Sequence, residues 1–143
     1  MKKALSILLI CTLAVLTLAS CSSSFSLSAD ELMNKVEAKG YYSSNLTTEN
    51  AYRELESFCD LFYMDVYSVS TVIAVSPSES ISGTEMGYFI YCNTSEDAYE
   101  WYTEAKELSK EDEDFREYIK NPTVKKSGNV VYVGSENTWN KFK

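Results

Sequence analysis

Hydrophobic and polar positions divide the chain into a short apolar leader and a longer periodic part. Ala4 to Ala19, ALSILLICTLAVLTLA, is apolar at nearly every position and follows Met1-Lys2-Lys3. That run is shorter than the roughly 20 apolar residues needed to cross a bilayer. Small residues, Ala19-Ser20, close it. A basic start, an apolar middle and a small-residue end are the parts of a secretory signal peptide. Periodicity begins at residue 28. Ser28 and Glu31 have the spacing of a capping box. Leu32, Met33 and Val36 share a face, and Gly40 is placed to end the helix, which predicts a helix over 29–39. Tyr41 to Leu46 reads as a short strand. Thr48 is placed to cap a second helix over 49–60, with Tyr52, Leu55, Phe58 and Cys59 on one side. Cys59 to Val66, CDLFYMDV, suits helix or strand.

The period then changes from helix to strand. Tyr67 to Ser76, YSVSTVIAVS, is rich in β-branched residues, which fit a pleated surface. PSESISG, 77–83, is a turn-rich connection, and Met86 to Cys92, MGYFIYC, reads as the hairpin partner. Thr94 or Ser95 can cap a third helix. Its apolar stripe is Ala98, Trp101, Tyr102, Ala105 and Leu108. The pattern resumes at Phe115, Tyr118 and Ile119 and stops at Asn121-Pro122. Thr123 to Lys126 and Asn129 to Val133 flank Ser127-Gly128 as a tight hairpin. SENTWNKF at the end predicts a last helical turn with Trp139 and Phe142 facing inward. After the first helix the order is strand, helix, strand, strand, helix, strand. That order predicts an α+β fold with a small antiparallel sheet, helices on one face and a ferredoxin-like (βαββαβ) succession. A more open α+β meander without the first strand is the alternative.

The end of the leader carries the sharpest motif. Leu18-Ala19-Ser20-Cys21 resembles the lipobox of bacterial lipoproteins. The resemblance covers residues 1–21 and implies that the Cys21 thiol receives a diacylglycerol and becomes residue one after cleavage. It further implies attachment to a membrane on its extracytoplasmic face. An ordinary signal peptide or an uncleaved anchor would also place the rest of the chain outside the cytoplasm. Two or more acyl chains give a stable tether where one gives only marginal binding. Residues 21–28, CSSSFSLS, then read as a Ser-rich tether with a reach of about 25 Å at 3.3–3.6 Å per residue. Residues 29–143 form one domain. The closing GNVVYVGSENTWNKF resembles, in general layout, the small uncharacterised lipoproteins of Gram-positive gut bacteria. That likeness implies no activity.

Loss of residues 1–20 changes the charge and cysteine arithmetic. Removing Lys2 and Lys3 leaves 11 basic against 21 acidic residues, a balance of −10. Such a balance argues against nucleic acid as a partner and against attraction to anionic lipid. Cys11 leaves with the leader and Cys21 is assigned to lipid. Cys59 and Cys92 remain, and they either pair as a disulfide, as exported cysteines can, or stay small buried hydrophobes.

Candidate chemistry is sparse. Ten acids lie between residues 96 and 117, against Lys106, Lys110 and Arg116. Glu111-Asp112-Glu113-Asp114 lacks the Gly turn and alternating carboxylates of a calcium loop. It reads instead as a solvated helix start, capped by Ser109 and favoured by the dipole. Most of the 11 tyrosines, six phenylalanines and two tryptophans sit on the apolar stripes, so Tyr88, Tyr91, Tyr99, Trp101 and Tyr102 are assigned to the core. Tyr41, Tyr42, Tyr63 and Tyr67 are the candidates for an exposed binding patch. The chain has no histidine, which excludes Ser-His-Asp and Cys-His catalysis. It has no phosphate-binding Gly loop or dinucleotide fingerprint. No catalytic, cofactor-binding or metal-ligating residue is assigned, and no cofactor is expected. The expected role is a lipid-anchored, non-catalytic binding module at the cell envelope, its partner an envelope protein or glycan. The alternatives are a small envelope enzyme acting through carboxylates and a structural spacer.

Overall fold

The computed structural model describes residues 24–79, 85–120 and 122–143. The leader, Cys21 and most of the 77–83 connection therefore lie outside the described residues. Helix α1 is Ala29–Ala38, capped by the Ser28–Glu31 box. Gly40, at φ 71°, ends it. The Gly40 N–H donates to the Glu37 carbonyl and the Tyr41 N–H to the Val36 carbonyl, at 2.9 and 3.1 Å, as in a Schellman turn. Strand β1 is Tyr42–Asn45. A 3-10 turn, Glu49–Ala51, leads into α2, Tyr52–Leu61. Thr48 makes no side-chain cap; its hydroxyl donates back to the Asn45 carbonyl at 3.2 Å. The ambiguous 59–66 segment is the end of α2 followed by a turn, with Tyr63 at φ 55°. A second 3-10 turn, Val66–Ser68, precedes β2, Val69–Ser76. Tyr67 thus belongs to a turn rather than to the strand.

Strand β3 is Gly87–Cys92. Helix α3, Ser95–Glu111, opens on a Thr94–Asp97 capping box. Helix α4, Glu113–Tyr118, follows after a single residue. Strands β4, Thr123–Ser127, and β5, Val130–Gly134, form a hairpin around Gly128 at φ 57°. Helix α5, Glu136–Phe142, closes the chain, with Ser135 as its cap and Trp139 and Phe142 buried.

The class is α+β, with a five-stranded antiparallel sheet in the order β1-β2-β3-β5-β4. The spatial order is not that of the ferredoxin-like unit. There the first two strands run parallel with the third between them. Here β1 and β2 are antiparallel neighbours, Tyr42 opposite Ser76 and Asn45 opposite Ile73, so α2 links adjacent strands.

The expectation of helices on one face is also corrected. One apolar layer joins α2, α3 and α4 to Val72, Ala74, Tyr88, Ile90, Val131 and Val133 of the sheet. The other joins α1 and α5 to Ile73, Val75, Phe89, Tyr91, Val130 and Tyr132. The physical reason is visible in β3 and β5. Every residue of both strands is buried, which requires cover on each face. The aromatic content goes mostly into these layers. Phe58 stacks on Trp101 at 5.9 Å and Phe62 meets Phe115 edge-on at 5.3 Å. On the opposite face Phe89 packs on Tyr132 at 4.8 Å and Tyr132 on Trp139 at 5.2 Å.

The Ser-rich segment is not a free tether throughout. Phe25 is buried, stacked on Phe89 at 5.1 Å and set against Trp139 at 5.8 Å. Ser127 Oγ donates to the Phe25 carbonyl, and the Tyr91 hydroxyl to the Leu27 carbonyl, both at 3.1 Å. Burial of a phenylalanine side chain is worth about 1.5–3 kcal/mol, enough to hold the segment against the sheet.

Candidate functional site

A recess lies on the face covered by α2, α3 and α4. It has a volume of about 620 Å³, within the usual range for small-ligand sites. Its floor is apolar: Leu46, Phe58, Leu61 and Tyr88. They come from three parts of the fold. Leu46 is fixed where its N–H donates to the Val72 carbonyl at 2.9 Å. Phe58 and Leu61 come from α2, one turn apart, and Tyr88 stands on β3. The Tyr88 and Phe58 rings pack at 4.5 Å.

Arg53, Glu54 and Ser57 of α2 form one polar rim, and Tyr118 at the end of α4 forms the other. The Tyr88 and Tyr118 hydroxyls lie 3.2 Å apart, linking floor to rim. Burial, helped by this bond, pushes the Tyr88 phenol well above its ordinary range, so it is a neutral hydroxyl. Glu54 is the only carboxylate among the lining residues. The recess therefore offers apolar area, one cation, one anion and hydroxyls. It does not bring two carboxylates together.

The tyrosines divide differently from the sequence expectation. Tyr42, Tyr63 and Tyr67 are exposed, the last two about 80% (79 and 81%), while Tyr41 is half-buried and packs edge-on against Phe142 at 5.3 Å. They do not form one patch. Tyr63 and Tyr67 line a second recess of about 390 Å³ with Asp65, Asp97 and Glu100. Tyr42 opens β1 and lies in another recess with Glu79. Tyr88, Tyr91 and Trp101 are buried as expected, but Tyr99 is exposed and Tyr102 half-buried. Tyr99 is one residue off the Ala98–Trp101–Ala105 stripe and so points to solvent. Tyr118, at the mouth of the main recess, is in sequence only the continuation of a helical stripe. No sequence signal separates it from a core residue.

The acidic run acts through Asp112, not Ser109. Asp112 caps α4, its Oδ1 accepting from the Phe115 N–H at 2.7 Å. Ser109 lies inside α3 and donates to the Lys106 carbonyl at 2.9 Å. Of the acids that are displaced, Glu31 is lowered by hydrogen bonds from Ser28 and Glu136 by one from Thr123. Both directions suit acceptors rather than proton donors.

Cys59 and Cys92 are free and buried, so the possible disulfide is not formed. They pack in the same apolar layer. Burial pushes each thiol up to about 12, which makes them inert hydrophobes rather than nucleophiles. No group of three or more His, Cys, Asp or Glu among the described residues could hold a metal ion, and no described helix is long and apolar enough to cross a membrane. Set against protein-family models, curated proteins and solved structures, the chain matches none significantly.

Proposed function

We propose that this chain is a lipid-anchored binding module of the cell envelope. Cys21 carries the lipid, and the recess between α2 and α4 takes the ligand. One observation carries the binding role: an apolar floor framed by Arg53, Glu54, Ser57 and the Tyr118 hydroxyl. Apolar area with a few fixed polar groups is the general form of a ligand site. The ligand class is an amphipathic segment of an envelope protein, or a glycan whose ring lies on the aromatic floor. A single lining carboxylate supports a non-catalytic role, since glycoside cleavage needs two. Neither nucleic acid nor a cofactor enters this reading.

Photo-crosslinking in the native envelope tests it. A photoreactive residue at Ser57, on the exposed face of α2, should capture one discrete envelope species. The same probe at Glu107, on the exposed face of α3, should not. Tyr118→Ala should reduce the Ser57 capture several-fold. Equal capture from both positions would remove the recess as the site.

A further inference from the structure

The tether that would join this domain to the lipid is shortened by the fold itself. Phe25 is buried among Phe89, Tyr91 and Trp139, and its carbonyl is held by Ser127. Only four steps of chain separate Cys21 from Phe25, a reach of at most about 14 Å. That is little more than half the reach of the 21–28 segment taken as free.

The place where Phe25 docks is one end of the sheet. Ser127 ends β4 and Val130 starts β5 opposite it. Asn129 Nδ2 donates to the Cys92 carbonyl at 3.0 Å, and the Cys92 N–H donates to the Asn129 carbonyl at 2.8 Å. Cys92 in turn faces Val69, and Asn93 Nδ2 donates to the Tyr67 carbonyl at 2.6 Å. Phe25, the β4–β5 turn, Asn93 and Tyr67 therefore share that end. The opposite end lies about 23 Å away, the length of the eight-residue β2 at 3.3 Å per residue. Tyr88 faces Ala74 and Val133, so the ligand recess is offset toward this far end.

We infer that docking of Phe25 seats the domain end-on against the bilayer headgroups, with the Ser127-Gly128-Asn129 turn toward the membrane and the α2–α4 recess held away from it. The inference rests on the lipid-anchor reading of Cys21. The occupant of this end is the headgroup layer. The argument is chain length, because Asp65, Asp97 and Glu100 near Tyr67 would not attract an anionic surface. Exposed Tyr67 supplies an aromatic ring of the kind that sits at headgroup level. A short, docked lead thus converts a tether into an orienting clip, and the ligand site faces the space beyond the membrane.

The test uses the full-length lipidated chain in phosphatidylcholine vesicles carrying a headgroup nitroxide. Single cysteines are introduced at Lys126, near the docked end, and at Glu79, beyond the far end of β2, and labelled with a fluorophore. Cys59 and Cys92 are buried and do not compete for label. Quenching should be several-fold stronger for Lys126→Cys than for Glu79→Cys. Ten Gly/Ser residues inserted between Ser23 and Ser24 leave every packed residue in place and should bring the two labels together. Phe25→Ser should do the same. Equal quenching in the unmodified chain, or a difference that survives the insertion, overturns the clip and leaves the anchor intact. A wild-type chain that does not partition into vesicles overturns the anchor, and the orientation with it.

Discussion

Gly87 and Gly134 face each other across β3 and β5. The Tyr132 ring lies over the pair, so a Cβ at Gly87 would stand 2.6 Å from Tyr132 Cε2, and one at Gly134 would stand 2.6 Å from the Met86 carbonyl oxygen. The Tyr132 hydroxyl then donates to the Ser135 carbonyl at 2.7 Å. The Tyr132 side chain is thus a cover for bare backbone. The two thiols carry a pH dependence. Burial raises each from 9.0 to about 12, so the neutral form is favoured in the folded state. Their contribution to stability is full below about pH 9 and is lost as pH rises toward 12. Tyr88, Tyr91 and Tyr132 are also raised by burial from 10.0 and add a loss that begins at higher pH. Urea midpoints should therefore fall between pH 9 and 10 in the wild type. In a Cys59→Ala/Cys92→Ala variant the midpoint should start lower and fall less over that interval.

At the scale of elements, some helix ends are legible in the sequence and helix neighbours are not. Ser28–Glu31 is a capping box in both sequence and structure, because a box depends only on residues three apart; of the two candidate caps for the third helix, Thr94 takes the role and makes its box with Asp97. The α3–α4 junction departs from the sequence expectation for the converse reason. Several polar residues compete there, and which one caps depends on where α3 ends. Glu111 ends it, and that leaves Asp112 as the cap. Removing that acceptor should matter for the recess as well as for the helix. An N-cap lost to alanine costs about 0.5–2 kcal/mol, and α4 is only six residues long. Asp112→Ala should loosen α4, speed hydrogen exchange at the Phe115 amide and weaken the Tyr88–Tyr118 bond that ties rim to floor. Asp112→Asn keeps the acceptor and should leave exchange nearly unchanged. Equal exchange in the wild type and both variants would show that packing of Phe115, not the cap, holds the helix.

At the scale of the molecule, the described residues form a sheet between two helical layers, an arrangement only half visible in the chain. All five strands were placed by alternation and turn chemistry to within about two residues, the usual precision for element boundaries. Their spatial order depends on which edge α2 returns to, and no local pattern encodes that. The second layer did leave a trace: MGYFIYC and NVVYVG are continuous apolar runs, the mark of strands buried on both faces. Because β2, β3 and β5 contribute alternate residues to both layers, neither layer can open without baring one side of the shared sheet. The α1–α5 layer is further tied by charge. Lys35 Nζ donates to the Phe142 carbonyl at 2.9 Å and Lys39 Nζ to the Lys141 carbonyl at 2.7 Å, placing ammonium groups on the C-terminal end of α5, where the helix dipole favours them. Phe142 is fully buried, and Phe142→Ala should cost about 3–5 kcal/mol, a large share of the 5–15 kcal/mol typical of a domain. The loss should not stay on its own face. Trp139 reports the α1–α5 layer and Trp101 the α2–α4 layer, so Trp101→Phe and Trp139→Phe give two single-tryptophan versions of the Phe142→Ala chain. Their urea transitions, read by fluorescence, should be shifted down together relative to the parents. A fall confined to the version retaining Trp139 would mean that the sheet does not couple its two faces.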